Sequence, residues 1–341
     1  MLIDIHNHYI PQRFIDLVRD DPERWQALVY RDEAAGLDAL VAGRTQPLNW
    51  RGPGRLPDAM DPGIVDLSLR LEEMDAMGLD MAALSVMPRL FYYFAEPDLG
   101  AEVSAILNDA VSEACRAHPD RLVPMGNITM QDTGLAIAEL ERVVDEYGFT
   151  AVEIGASVNG RNYDEPEFDA FFQRAAELDV LIFVHSSSPP GADRLPRYYA
   201  QNTIGFPVET AICAASLIFG GVFARYPNIK VCLTHGGGVT PSLVGRWDHG
   251  WEACAEASQA IERPPSEYFK SLYFDDLVYS DQVLRHLIDL AGADHVVVGT
   301  DYPFDMGDRT PVDTLARQSR SDAEHDLIAS ETAARLLRLD V

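Results

Sequence analysis

Eight short runs of apolar and β-branched residues recur along this chain, and longer amphipathic stretches separate them. The runs are Leu2 to Tyr9, Ala82 to Met87, Leu122 to Thr129, Ala151 to Ala156, Leu181 to Ser186, Lys230 to His235, Leu272 to Phe274 and His295 to Thr300. They read as strands of a parallel sheet, whose neighbours must be joined by crossover helices. Apolar residues at three- and four-residue spacing supply those helices over Ile64 to Met77, Ala101 to Ala117, Gly134 to Tyr147, Glu167 to Leu178 and Val283 to Ala291. Eight strand–helix repeats predict an α/β fold, a closed (β/α)8 TIM barrel. Segment 18 to 61 breaks the rhythm: it is rich in Arg, Asp, Gly and Pro, and too long for a simple connection. It reads as an insertion over the barrel mouth, within a single domain of residues 1–341.

In such a barrel the active site gathers at the C-terminal ends of the strands. His6 and His8 end the first run, and residues two apart on a strand share one face. His185, His235 and Asp301 end the fifth, sixth and eighth runs, so the fold would bring all five residues around one central space. Imidazole nitrogen with carboxylate oxygen suits a divalent ion, Zn²⁺ first, with Mn²⁺ or Fe²⁺ fitting the same donors. His6, His8, His185 and Asp301 are the expected metal ligands. His235 is the expected general acid/base, with Asp301 as a second proton carrier. His118, His286 and His325 lie in or beside charged helical segments, and His295 starts its strand at the opposite end.

The 54 acidic residues against 27 basic ones leave a net charge of −27, which repels nucleic acid and disfavours it as a partner. The same field repels an anionic small substrate, so a carboxylate ligand would need local arginines. No uninterrupted apolar run approaches the roughly 20 residues of a membrane span, and no membrane association is expected. Residues 1 to 10 carry Asp4 and no Lys or Arg, unlike a signal peptide, so a cytoplasmic location is expected. Cys115, Cys213, Cys232 and Cys254 show no C-x-x-C spacing and read as buried free thiols.

Several segments then resemble one family: Ile3-Asp4-Ile5-His6-Asn7-His8, Glu73-Met74-Asp75, Gly205-Phe206-Pro207-Val208-Glu209-Thr210, Gly220-Gly221-Val222-Phe223, Thr234-His235-Gly236-Gly237-Gly238 and Gly299-Thr300-Asp301-Tyr302-Pro303-Phe304. Nearly end to end, the chain resembles the amidohydrolase superfamily, in the branch of 2-amino-3-carboxymuconate-6-semialdehyde decarboxylase. The resemblance implies the same ligand set, His6, His8, His185 and Asp301, and the same catalytic histidine, His235. It also implies that Arg246 reaches a neighbouring subunit's site in a homodimer, where a guanidinium fork would bind a carboxylate. Phe304, beside a ligand, is the expected pocket aromatic, while Tyr92, Tyr93 and Phe94 fit either a pocket wall or loop packing.

Three departures bear on the substrate. The branch's arginine upstream of Glu-Met-Asp falls by ungapped counting on Asp58, leaving Arg51, or Arg55, to serve from a shifted loop. Ser186-Ser187-Ser188-Pro189-Pro190 stands where the branch carries Pro-Trp, and the 18–61 insertion has its own composition. The expected activity is metal-dependent, non-oxidative decarboxylation of an unsaturated or aromatic carboxylic acid, without an organic cofactor. The alternative on the same ligands is hydrolysis or hydration by a metal hydroxide. A barrel that merely binds would show a broken ligand set, and every ligand position is filled.

Overall fold

The computed structural model describes residues 1–33, 36–43 and 59–340. Its strands are β1 (Ile3–Tyr9), β2 (Ala27–Asp32), β3 (Leu37–Ala42), β4 (Met81–Val86), β5 (Leu122–Asn127), β6 (Ala151–Gly155), β7 (Leu181–His185), β8 (Lys230–Leu233), β9 (Leu272–Asp275) and β10 (Val296–Val297). Eight of them form one parallel sheet in the order β1-β4-β5-β6-β7-β8-β9-β10, the expected barrel. Parallel bridges Asp4–Val298 and Asn7–Tyr302 bring the last strand's continuation back onto the first and close the ring.

The eighth strand is shorter than expected. Its ladder stops because side chains capture the next backbone amides: Gly299 N–H donates to Asp276 (2.9 Å) and Thr300 N–H to Asp4 (3.0 Å). The predicted helix Ile64 to Met77 is likewise two helices, Pro62–Val65 and Leu67–Met77. Asp66 lies between them in extended conformation and accepts from Ser68 and Leu69 N–H, an N-cap that starts the second helix afresh.

Two apolar cores hold the barrel. Ile3, Ile5, Ala83, Val123, Met125, Ala151, Leu181, Phe183, Cys232 and Val297 fill its interior, while a larger cluster lies between sheet and helices. Each fully buried Ile, Leu or Phe contributes ~1.5–3 kcal/mol. Segment Gln201–Phe219 is long and apolar enough to cross a membrane by length and composition. Here it lies among the barrel's outer helices, and buried Glu209 within it accepts hydrogen bonds from Ser157 Oγ and Ser188 N–H. Of the four free cysteines three are buried as expected; Cys254 is exposed, because it caps the end of helix Thr240–Ala253 on the surface.

Within the expected insertion, β2 and β3 form an antiparallel hairpin. It packs by the loop that follows β4, where Tyr92 Oη donates to Trp25 O (2.7 Å) and Phe94 lies against Gly43. Tyr92 and Tyr93 are buried, so they pack this loop. Arg44, Arg51 and Arg55 lie outside the described residues.

Candidate metal centre

The histidine pair reaches the barrel interior through an irregularity. Ile3 and Ile5 face inward by strand alternation, which would turn His6 and His8 outward. The pairing of β1 with β4 slips between Asp4 and Asn7, and this bulge inverts the alternation so that His6 packs its ring on interior Phe183 at 5.4 Å. Asp4 holds the bulge, accepting from His6 N–H (3.0 Å), Thr300 N–H (3.0 Å) and Thr300 Oγ1–H (2.8 Å). Burial is the largest influence on Asp4 and raises its carboxyl to about 6 against these hydrogen bonds.

Each of the three histidines spends Nδ1 on an acceptor: His6 on Asp275 Oδ2 (2.6 Å), His8 on Val86 O (3.3 Å) and His185 on Ser186 O (2.7 Å). With Nδ1–H donating, every Nε2 presents a lone pair. The Nε2 atoms of His6 and His185 are buried and have no hydrogen-bond partner among the described residues. His8 Nε2 lies 3.0 Å from Asp301 Oδ1 and His6 Nε2 3.4 Å from it, so in that tautomer lone pairs would meet a carboxylate oxygen. Such electron-rich neighbours need a proton or a metal cation between them, and the site can take either. Ligand atoms of His6, His8, His185 and Asp301 all lie within 4.8 Å of one another, and all four residues are buried. Donors about 2.0–2.2 Å from a tetrahedral ion sit roughly 3.3–3.6 Å apart, near the 3.0 and 3.4 Å that separate Asp301 from His8 and His6, so small adjustments fit the set to one divalent ion.

The charges agree. Burial opposes ionisation of Asp301, but the His6 charge and the imidazoles of His235, His6 and His8 around it outweigh burial and hold the carboxyl well below the ordinary range. Burial also opposes a charge on His6, yet Asp301 and Asp275 raise its ring to about 10. Burial lowers His8 and, together with the neighbouring imidazoles, drives His185 well below its usual value. Without an ion, one positive charge thus settles on His6 among the ligands. A divalent cation takes its place when bound.

His235 stands beside the four, its Nε2 3.9 Å from Asp301 Oδ2 and its side chain 13% exposed. Both His235 and Asp301 adopt positive φ, 56° and 55°, a strained conformation for residues other than glycine. Asp275 sustains the first of these turns, accepting from His235 N–H (2.9 Å) and Gly236 N–H (2.7 Å) while it also holds His6. Sequence reading missed Asp275 by ending its strand at Phe274, one residue early. Gly238 is required in this turn, since a Cβ there would lie 2.2 Å from Pro207 O.

Glu153 was also missed. It is fully buried in β6, its side-chain oxygens have no hydrogen-bond partner among the described residues, and burial raises it to about 8. The ring of Phe304 lies 4.9 Å from that of His8. Arg246 and Arg194 are exposed, Arg246 on helix Thr240–Ala253.

A family model described as amidohydrolase matches residues 3–339. The 2-amino-3-carboxymuconate-6-semialdehyde decarboxylase of Dictyostelium discoideum is 33% identical over 91% of this chain and 83% of its own length. The crystal structure of 5-carboxyvanillate decarboxylase from Sphingomonas paucimobilis superposes with a TM-score of 0.82 at 25% identity, covering 99% of both chains. The fold is shared too with 5-carboxyvanillate decarboxylase of Novosphingobium aromaticivorans, solved with manganese and 4-hydroxy-3-methoxy-5-nitrobenzoic acid. That match has a TM-score of 0.80 and 21% identity, over 99% of this chain and 96% of that one.

Proposed function

Because this chain belongs to the amidohydrolase family, we propose that it is a metal-dependent, non-oxidative decarboxylase of a planar aromatic or unsaturated carboxylic acid. The observation that carries the reading is the buried four-donor cluster with His235 beside it, in a chain whose relatives are decarboxylases. His6, His8, His185 and Asp301 hold the ion, which when bound supplies Lewis acidity toward substrate oxygens. Three imidazoles and a carboxylate favour Zn²⁺, and the manganese in the N. aromaticivorans relative makes Mn²⁺ the second ion to test.

The overall change is R–COO⁻ + H⁺ → R–H + CO₂. The electron pair of the broken carbon–carboxyl bond stays on the ring carbon, which takes up one proton, so no oxidant is needed. His235 and Asp301 move that proton; the partial exposure of His235 connects them to the barrel mouth. Phe304 walls the space beside His8 and orients a flat substrate. Arg246, exposed in the single chain, binds a substrate carboxylate in the neighbouring subunit of a homodimer. Exposed Ile212 and Val239, on helix Phe206–Phe219 and at the start of Thr240–Ala253, support an interface on that face. Arg51 is the second carboxylate-binding candidate. The net charge of −27 argues against nucleic-acid partners, and a cytoplasmic location remains our reading.

The test is CO₂ release from 2,6-dihydroxybenzoate, 5-carboxyvanillate and related acids by protein loaded with Zn²⁺ or Mn²⁺. Stoichiometric CO₂ and decarboxylated product are expected. Product formed without CO₂ would replace this reading with hydration or hydrolysis on the same ligands.

A further inference from the structure

Arg70, on helix Leu67–Met77, is 1% exposed. No carboxylate is hydrogen-bonded to it among the described residues. Its Nη1 donates to Asn7 Oδ1 (2.9 Å), its Nη2 donates to the backbone carbonyl of His8, and its Nε has no partner among the described residues. The guanidinium carbon lies 4.7 Å from the ring centre of Tyr302, the residue after Asp301. A buried guanidinium is costly to desolvate, and here burial lowers its basicity to about 10. An apolar side chain would fill the same space at less cost. What the guanidinium alone supplies is a rigid fork that touches two of the three chain segments bearing metal ligands, β1 at Asn7 and His8 and the turn at Tyr302.

Neighbouring contacts make these segments responsive to Arg70. Asn7 Nδ2 donates to Ala83 O (3.1 Å), and His8 N–H donates to Tyr302 O (2.8 Å). Arg309 also lies 4.7 Å from the Tyr302 ring centre and donates to Pro303 O (3.2 Å). Tyr302 is thus held by two guanidinium groups and β1 by one of them, which spans the joint where the first and last strands meet.

We propose that Arg70 is a positioning residue of the metal centre, setting the separation of His8 and Asp301 through Asn7, the His8 carbonyl and the Tyr302 ring. The inference rests on the metal-centre reading and is independent of the substrate. Ligand supports of this kind alter metal affinity by about 10–100-fold when removed. The experiment is a competition titration of metal-free protein with Zn²⁺ and Mn²⁺ against a chromophoric chelator, for wild type, Arg70→Lys, Arg70→Met and Tyr302→Leu, alongside thermal unfolding of each metal-free protein.

Affinity should fall about 10–100-fold in Arg70→Met and by a smaller factor in Tyr302→Leu. Arg70→Lys should recover little, because an ammonium cannot span both oxygens and stack on the ring. Should Arg70→Met not fold, Arg70→Lys and Tyr302→Leu decide. A lowered unfolding midpoint with affinity within twofold of wild type overturns the proposal and leaves Arg70 a packing residue. Failure of the wild type itself to bind one ion per chain refutes the metal centre instead, so the two failures are distinguishable.

Discussion

The four ligands and His235 divide by what each side chain can still offer. Imidazoles with Nδ1 already engaged can give only Nε2 to an ion, whereas His235 stands outside the set, its buried Nδ1 without a partner among the described residues. His6→Ala should therefore lose bound metal, from about one ion per chain to near zero. His235→Ala should keep its metal and lose about 10²–10⁴-fold in turnover. Metal analysis beside turnover checks both, and equal metal loss in the two variants would refute the division. Glu153 makes a separate prediction for the metal-free protein. Its folded value, raised to about 8, exceeds the ordinary 4.5, so between these values the folded state keeps a proton that the unfolded chain has released. Stability then falls as pH rises through that window, by up to ~1.4 kcal/mol per pH unit. Glu153→Gln should gain more in thermal midpoint over wild type at pH 8.5 than at pH 5; equal gains would contradict it.

At the level of elements, the strands were readable because each is a short run buried on both faces, a pattern that survives without knowledge of its partners. His6, His8, His185, His235 and Asp301 were readable because strand ends in a barrel converge. Features set by pairing between distant elements were not. The β1 bulge depends on register with β4 and on Asp4 meeting Thr300, 296 residues away, and simple alternation from Ile3 and Ile5 turns the histidines the wrong way. The β2–β3 hairpin was hidden by its polar surroundings. Close approach between β1, β9 and the end of β10 explains Gly299, where a Cβ would lie 2.7 Å from Asp275 Cβ and 2.9 Å from His6 Cβ. Gly299→Ala should cost ~1–3 kcal/mol and displace His6. Denaturant unfolding of the metal-free variant and its metal content after reconstitution check this, and full metal occupancy would count against it.

For the molecule as a whole, the assignment of Arg246 to a partner's site makes a prediction beyond loss of function. Arg246→Ala and His6→Ala dimers should each be inactive, but exchanging their subunits restores one complete site in each hybrid. Roughly a quarter of wild-type activity should then return for a statistical mixture of two-fold dimers. Sedimentation should show a dimer throughout, and a mixture that stays inactive would confine Arg246 to another role. The ligands come from opposite ends of the chain, His6 and His8 in the first strand and Asp301 after the last. This has a consequence for biosynthesis. A ribosome adding about 5–20 residues per second takes roughly 15–60 s to pass from His6 to Asp301. Until then the nascent chain lacks its carboxylate ligand, so a complete ligand set awaits synthesis of the chain through Asp301.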